Sequence, residues 1–257
     1  MTANTPEASF IEHFLNPNYS YAEFVGKDAN LQPHWNTFFN SLSGFSPSDI
    51  EARRQDIFRM LRENGVTYNI YGDPSGLNRP WNLDIIPYLI DKTEWATIES
   101  GLVQRAELLN LILKDIYGER RLVRNGILPA ELIYNHIGFL RQCVGVKQLH
   151  QHSLILYSAD LARSTNGSVW VLNDRTQAPS GSGYALENRI TMARVLPELF
   201  NDLQVRHLSA YFETLRQSLH EIAPVKKQDT RIVILTPGPS NETYLPIWVL
   251  HLCRGMT

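Results

Sequence analysis

The sequence predicts a mixed α/β (α+β) protein. Three observations carry that expectation. Two long amphipathic helical patterns lie at 46–65 and 91–117, an Asn-Gly turn signal separates apolar runs within 153–174, and a strand, a loop and a helix follow one another at 231–252. With 257 residues, 43% of them hydrophobic, the chain is long enough for one large core or two small ones. A net charge of −2 provides no basic field for nucleic acid or an anionic membrane. No apolar run approaches the length of a membrane span. The first residues lack the basic region and apolar core of a secretory leader, and only Cys143 and Cys253 occur. A reducing cytoplasm is therefore the expected setting.

Residues 1–45 are rich in Asn, Ser, Pro and aromatics with weak periodicity, and read as an irregular arm with short helical pieces. A firm helix follows. Ser46 is its N-cap, Pro47 suits the first position, and Asp49 favours the positive helix start. Ile50, Ile57, Phe58 and Leu61 share a face, and Gly65 stops the helix. Val66 to Tyr71 is a short strand. The loop Tyr71 to Trp81, with two glycines and two prolines, then presents Asp73, Asn78 and Arg79. These three either face a ligand, or serve as a turn cap and a surface ion pair.

The longest helix runs from Asp91 to Tyr117. Asp91 and Glu94 fit a capping box, Trp95, Ile98, Leu102, Ala106, Leu109, Leu113 and Ile116 form a stripe expected to be buried, and Gly118 ends it. Arg120, Arg121 and Arg124 follow as a solvated basic patch. Leu154 to Arg163 and Val169 to Leu172 are the two strands of a hairpin about Asn166-Gly167. A helix is expected from Gly183 to Leu196, stopping near Pro197, and another buries Tyr211, Phe212, Leu215, Leu219 and Ile222. Arg231 to Thr236 is a buried-type strand, running through Pro237–Glu242 into a helix at Tyr244–Leu252.

The chemistry concentrates at Trp170–Arg189. A two-residue hairpin loop puts Thr165 opposite Ser168, Asp160 opposite Asn173, and Ser158 opposite Arg175. Alternation then places Asp160, Asn173 and Arg175 on one face and Asp174 on the other; a one-residue bulge reverses this. A carboxylate and an amide oxygen on adjacent strands suit a hard cation such as Mg²⁺, and the Arg175 fork suits phosphate or carboxylate. The bland alternative is an Asp160–Arg175 ion pair beside a polar Asn173. Pro179-Ser180-Gly181-Ser182-Gly183 leads into a helix, which suits an anion, or else Ser182 is simply the N-cap. His150 and His152 share a strand face without a third metal ligand at recognisable spacing.

Four stretches together resemble a known family: Y-G-D-P-S-G-L-N-R-P-W-N-L-D-I-I-P, L-V-Q-R-A-E-L-L-N-L-I-L-K-D-I-Y-G, D-R-T-Q-A-P-S-G-S-G-Y-A-L-E-N-R and V-I-L-T-P-G-P-S-N-E-T-Y. They are similar to the circularly permuted type 2 ATP-grasp proteins, bacterial relatives of glutathionylspermidine synthetase. The resemblance covers nearly the whole chain after residue 20. It implies an ATP-grasp fold in permuted order. It also implies an ATP- and Mg²⁺-dependent carbon–nitrogen ligase that activates a small-molecule carboxylate as an acyl phosphate and joins it to an amine.

In many relatives the return strand carries Glu and Asn two residues apart as metal ligands, with an Asp on the preceding strand. Here Asp160 keeps the Asp, Asn173 stands for Glu, and Arg175 for Asn. The resemblance thus assigns Asp160, Asn173 and, through a bulge, Asp174 to metal. Arg175 and Arg79 take the catalytic positions, and Gln177, Ser180, Gly181 and Arg189 go to nucleotide phosphate or substrate. The lysine-bearing half of the cleft follows the present region in permuted relatives. The chain is therefore expected to be an N-terminal portion, incomplete at its C-terminus, either acting with a second chain or non-catalytic. The expected division is an arm at 1–45, the hairpin-bearing part at 46–230, and the start of a further α/β unit at 231–257.

Overall fold

The computed structural model describes residues 23–25, 30–68, 79–147, 150–177 and 179–224, with 232, 233, 235 and 238. Its order is α1 (Pro33–Leu42), α2 (Pro47–Glu63), α3 (Lys92–Tyr117), the short α4 (Arg121–Arg124) and α5 (Ala130–Tyr134), and a 3₁₀ turn (Arg141–Cys143). Strands β1 (Ser158–Arg163) and β2 (Val169–Arg175) follow, then α6 (Ser182–Val195), α7 (Pro197–Asp202) and α8 (Ser209–Glu221). The two strands form an antiparallel sheet, so the fold is α+β.

Local rules account for α2. The Ser46 hydroxyl accepts from the Asp49 N–H while the Asp49 carboxylate accepts from the Ser46 N–H, a complete capping box with Pro47 inside it. Ile57 and Leu61, one turn apart, are buried. Phe58, expected beside them, is instead 45% exposed, because it lies a residue too far round the helix. Past Gly65 the chain turns back: the Val66 N–H reaches the Leu61 carbonyl, and residues 66–68 pair with 79–81 through Tyr68 N–H to Arg79 O at 3.0 Å. Residues 69–78, which include Asp73 and Asn78, lie outside the described residues.

The core gathers α1, α2, Val66, Ile85, α6 and α7. Its aromatic part belongs to the arm, since Trp35 and Phe38, a turn apart on α1, are buried and meet Phe39 at 5.9 and 5.5 Å between ring centres. A segment read as an arm is thus a supplier of core. Each fully buried side chain of this kind contributes about 1.5–3 kcal/mol. From α6 come Tyr184, Met192 and Val195, and the Tyr184 hydroxyl donates to the Thr67 carbonyl at 2.7 Å. At Leu196 the helix breaks, and Pro197 starts α7 rather than merely stopping α6. In α8, Phe212 and Leu215 are buried while Tyr211 is exposed.

α3 departs from expectation in two ways. Asp91 caps it by accepting from the Thr93 and Glu94 N–H groups, but the Glu94 carboxylate turns to Arg163 instead of closing the box. The stripe from Trp95 to Ile116 is only half-buried, with Trp95 exposed, and the one buried residue is Asn110. Val103, Leu108 and Leu111 are exposed as well.

Of the predicted strand at 231–236, the described Ile232, Val233 and Leu235 form no ladder, and Val233 and Leu235 are exposed. The expected helix at Tyr244–Leu252 lies outside the described residues.

Candidate functional site

The hairpin begins at Ser158, four residues later than expected, and β2 runs on to Arg175. Its loop has three residues, Thr165 to Gly167, rather than two. The Ser164 N–H reaches the Ser168 carbonyl and the Gly167 N–H reaches the Ser164 carbonyl, both at 2.9 Å. Gly167, at φ +83°, takes the left-handed conformation that this loop needs.

The longer loop sets the pairs Arg163–Val169, Ala162–Trp170 and Leu161–Val171, one step off the expected register. A bulge at Leu172 then restores it, giving Asp160–Asn173, Ala159–Asp174 and Ser158–Arg175. Burial along β2 tracks this: Val171 points in, Leu172 and Asn173 both point out, Asp174 points in and Arg175 out.

Asp160, Asn173 and Arg175 therefore share one face. The Arg175 fork grips Asp160, with Nη2 to Oδ2 at 2.9 Å and Nε to Oδ2 at 3.1 Å, and Asn173 Nδ2 adds a longer bond of 3.4 Å. The Arg175 bond holds the Asp160 carboxyl below its ordinary range, and Asp160 raises the guanidinium. Both partners are well exposed, so water screens the pair.

Asp174 faces the other way, onto α3. Arg105 holds it in a two-pronged grip at 2.6 and 2.7 Å, and the Tyr157 hydroxyl donates to it at 2.7 Å. The Arg105 bonds depress Asp174, while burial and then the Asp174 contact push the Tyr157 phenol up to about 12. The two aspartates do not converge on one point. Among the described residues no group of three His, Cys, Asp or Glu is placed to hold a metal. His150 bonds through Nε2 with the Ile222 carbonyl at 2.9 Å, and His152 is exposed.

Gln177 and Ser180 are exposed just past β2. Gly181, not Ser182, is the N-cap of α6, at φ +111°, where side chains with a Cβ are strained. Gly181 has no side chain to cap this end and the first turn has no acid, so the positive end of the α6 dipole is not offset by a carboxylate of its own first turn. Arg189 is not on the hairpin face. It lines a separate cavity of about 330 Å³ whose wall contains none of Asp160, Asn173, Arg175, Gln177 or Ser180. Arg79 is exposed, its carbonyl taken by the Tyr68 N–H.

Sequence reasoning missed the groups that fix the hairpin to α3. Asn110 accepts from the Ser153 and Leu154 N–H groups, and Arg163 reaches Glu23, Glu94 and Tyr88. A polar Asn between Ala106 and Leu113 of an apolar stripe was the available signal for Asn110. Arg105 and Tyr157 carried none.

Comparison with known proteins decides the family. The model of the circularly permuted ATP-grasp type 2 family matches residues 87–250. The chain belongs to that family. It is 34% identical over 235 residues to an uncharacterized protein of Mycobacterium tuberculosis, covering 88% of this chain and 27% of that protein. An uncharacterized Synechocystis protein is 32% identical over 229 residues, covering 89% of this chain and 48% of its own length. A Mycobacterium leprae protein, also uncharacterized, is 33% identical over 225 residues, covering 88% and 39%. The chain thus spans between about a quarter and a half of these ATP-grasp relatives. Among the described residues no helix is long and apolar enough to cross a membrane.

Proposed function

We propose that this chain carries the hairpin side of an ATP- and Mg²⁺-dependent carbon–nitrogen ligase. In that reaction a substrate carboxylate oxygen takes the terminal phosphoryl group as ADP leaves. An amine nitrogen then attacks the acyl carbon and inorganic phosphate departs. The observation that carries the reading is the shared outer face of Asp160, Asn173 and Arg175, two residues ahead of Gln177 and close in sequence to the uncapped start of α6.

The residues fit the implied cofactor in part. Asp160 and Asn173 offer two oxygens on one face, enough for a hard cation that brings phosphate and water as its other ligands. Asp174 is held inward by Arg105 and is assigned to positioning β2. Arg175 is assigned to phosphate, and its exposed pair with Asp160 is cheap to open. Gln177, Ser180 and the Gly181 N–H complete an anion-binding edge. Arg79, exposed next to the 79–81 pairing, is assigned to the substrate side.

Mg-ATP at a hundredfold excess over its dissociation constant stabilises a folded site by about 2.7 kcal/mol, or about 5–10 °C in melting temperature for a chain of this size. That shift is expected for the chain, and its loss in Asp160→Ala and Arg175→Ala. Loss of Mg-ATP-dependent ADP release in a full-length relative altered at the position matching Asp160 is expected as well. Unchanged turnover there ends the assignment.

Two observations favour a second reading, a non-catalytic remnant or an interaction subunit that acts with a second chain. Both hairpin aspartates are already neutralised by arginines, and α3 leaves Val103, Leu108 and Leu111 uncovered. Indifference of the chain's melting temperature to Mg-ATP selects that reading.

A further inference from the structure

The cavity lined by Arg189 is walled by α6, α7, part of α1 and the segment 83–89. Its wall is mostly apolar, with Phe38, Met192 and Phe200 among the contributors. Its polar side chains are Asp84, Asn188, Arg189 and Tyr88, and the Tyr88 hydroxyl is taken up by Glu23 and Arg163. The Arg189 guanidinium lies over the Phe200 ring at 6.0 Å. At that distance the ring attracts the cation without taking any of its N–H groups. Among the described residues no carboxylate and no carbonyl accepts from them, and burial alone acts on the charge.

Asn188 is fixed by the Trp81 indole N–H, which donates to its Oδ1 at 2.8 Å. Because the indole can only donate, the amide orientation is settled and Nδ2 remains as a donor. That donor, too, has no protein partner among the described residues. The half-buried cation and the amide donor thus line one apolar cavity with no protein acceptor among the described residues, and neither is sealed from water. An acceptor carried by a ligand would replace water on both.

We infer that this cavity binds a singly charged organic anion with an apolar body, its charge held by Arg189 and Asn188. Volume and charge narrow the class. About 330 Å³ is at the small end of ligand pockets, room for about ten non-hydrogen atoms at the density of liquid water. Asp84 stands exposed at the wall with one oxygen on the Ile86 N–H. A single guanidinium, opposed by the Asp84 carboxylate, can balance one negative charge at most and not the several charges of a triphosphate. The site is therefore distinct in chemistry from the nucleotide edge at the hairpin.

The test is calorimetric titration of the whole chain, without Mg-ATP, with octanoate, 1-octanol and acetate. Octanoate is expected to bind at least tenfold more tightly than octanol, whose body is the same, and more tightly than acetate, whose charge is the same. In Arg189→Met the preference of octanoate over octanol disappears. Equal affinities for octanoate and octanol on the unaltered chain overturn the inference, as does an absence of octanoate binding. Circular dichroism checks that Arg189→Met folds; if it does not, the octanoate-to-octanol ratio on the unaltered chain decides alone. Because no nucleotide is present, failure here leaves the ligase reading standing, and failure of the Mg-ATP test leaves this site standing.

Discussion

Asn110 is the point at which the long helix grips the chain entering the hairpin, and its removal is quantifiable. The side chain is 5% exposed. Its Oδ1 takes the Ser153 N–H at 2.8 Å and the Leu154 N–H at 3.2 Å. Asn110→Leu keeps the number and branching of side-chain heavy atoms on an apolar helix face but offers no acceptor. Each backbone N–H left buried without a partner costs about 1–3 kcal/mol. Residues 153 and 154 are only half-buried, so water relieves part of this, and the expected loss is about 2–3 kcal/mol. In urea, with a slope near the upper end for single domains, that lowers the midpoint by about 1 M. Hydrogen exchange gives the local signature: the Ser153 and Leu154 amides are expected to lose protection while those of α2 keep theirs. A variant as stable as the parent, with both amides still protected, would show that Asn110 does not anchor this segment.

Three further outcomes follow from the same geometry. Thr191 is fully buried on α6 and its hydroxyl has no hydrogen-bond partner; Thr191→Val removes that burden at equal shape and is expected to raise stability by about 1 kcal/mol in urea unfolding. Arg105→Ala is expected to return the Asp174 carboxyl upward to its ordinary range, read by NMR titration. Since the folded carboxyl lies below that range, the Arg105 contribution is present above about pH 4. It fades as pH falls through the depressed value, so parent and variant converge in acid. Deleting Leu172, which is 70% exposed, removes the extra residue of the bulge and leaves Asn173 opposite Asp160; the depressed titrations of Asp160 and Asp174 are both expected to persist, and loss of either refutes the assigned register.

What was legible in the sequence is what short-range chemistry decides. The Ser46 cap, the Pro47 start and the Gly65 stop give the bounds of α2, because every group involved lies within a turn of its partner; that Asp49 also closes a capping box came from the structure. The bounds of α3 and its Asp91 cap came the same way. Burial did not. Whether the Trp95–Ile116 stripe is covered depends on what packs against it, and α3 buries no apolar residue fully among those described. Phe38 was hidden for the opposite reason. Weak periodicity in the first 45 residues gave no sign that a ten-residue helix there fills the centre of the core. The ion pairs between α3 and the hairpin join residues 69 apart, as in Arg105–Asp174 and Glu94–Arg163, and no local pattern encodes such a partner.

The hairpin shows how far a register argument reaches. Its key pairs were assigned correctly from a two-residue loop that does not exist. The loop has one residue more, which moves every pair near the turn by one step, and the bulge at Leu172 moves the distal pairs back. Both departures are needed to reach the same answer. The longer loop alone puts Asn173 and Arg175 on the face toward α3 and Asp174 toward solvent, because one step of slip exchanges the two faces. Asp174 would then lose Arg105, and the outer face would lose its arginine. The bulge therefore decides which acid anchors the hairpin and which stays available. The bulge separates the structural role of Asp174 from the role proposed for Asp160, Asn173 and Arg175.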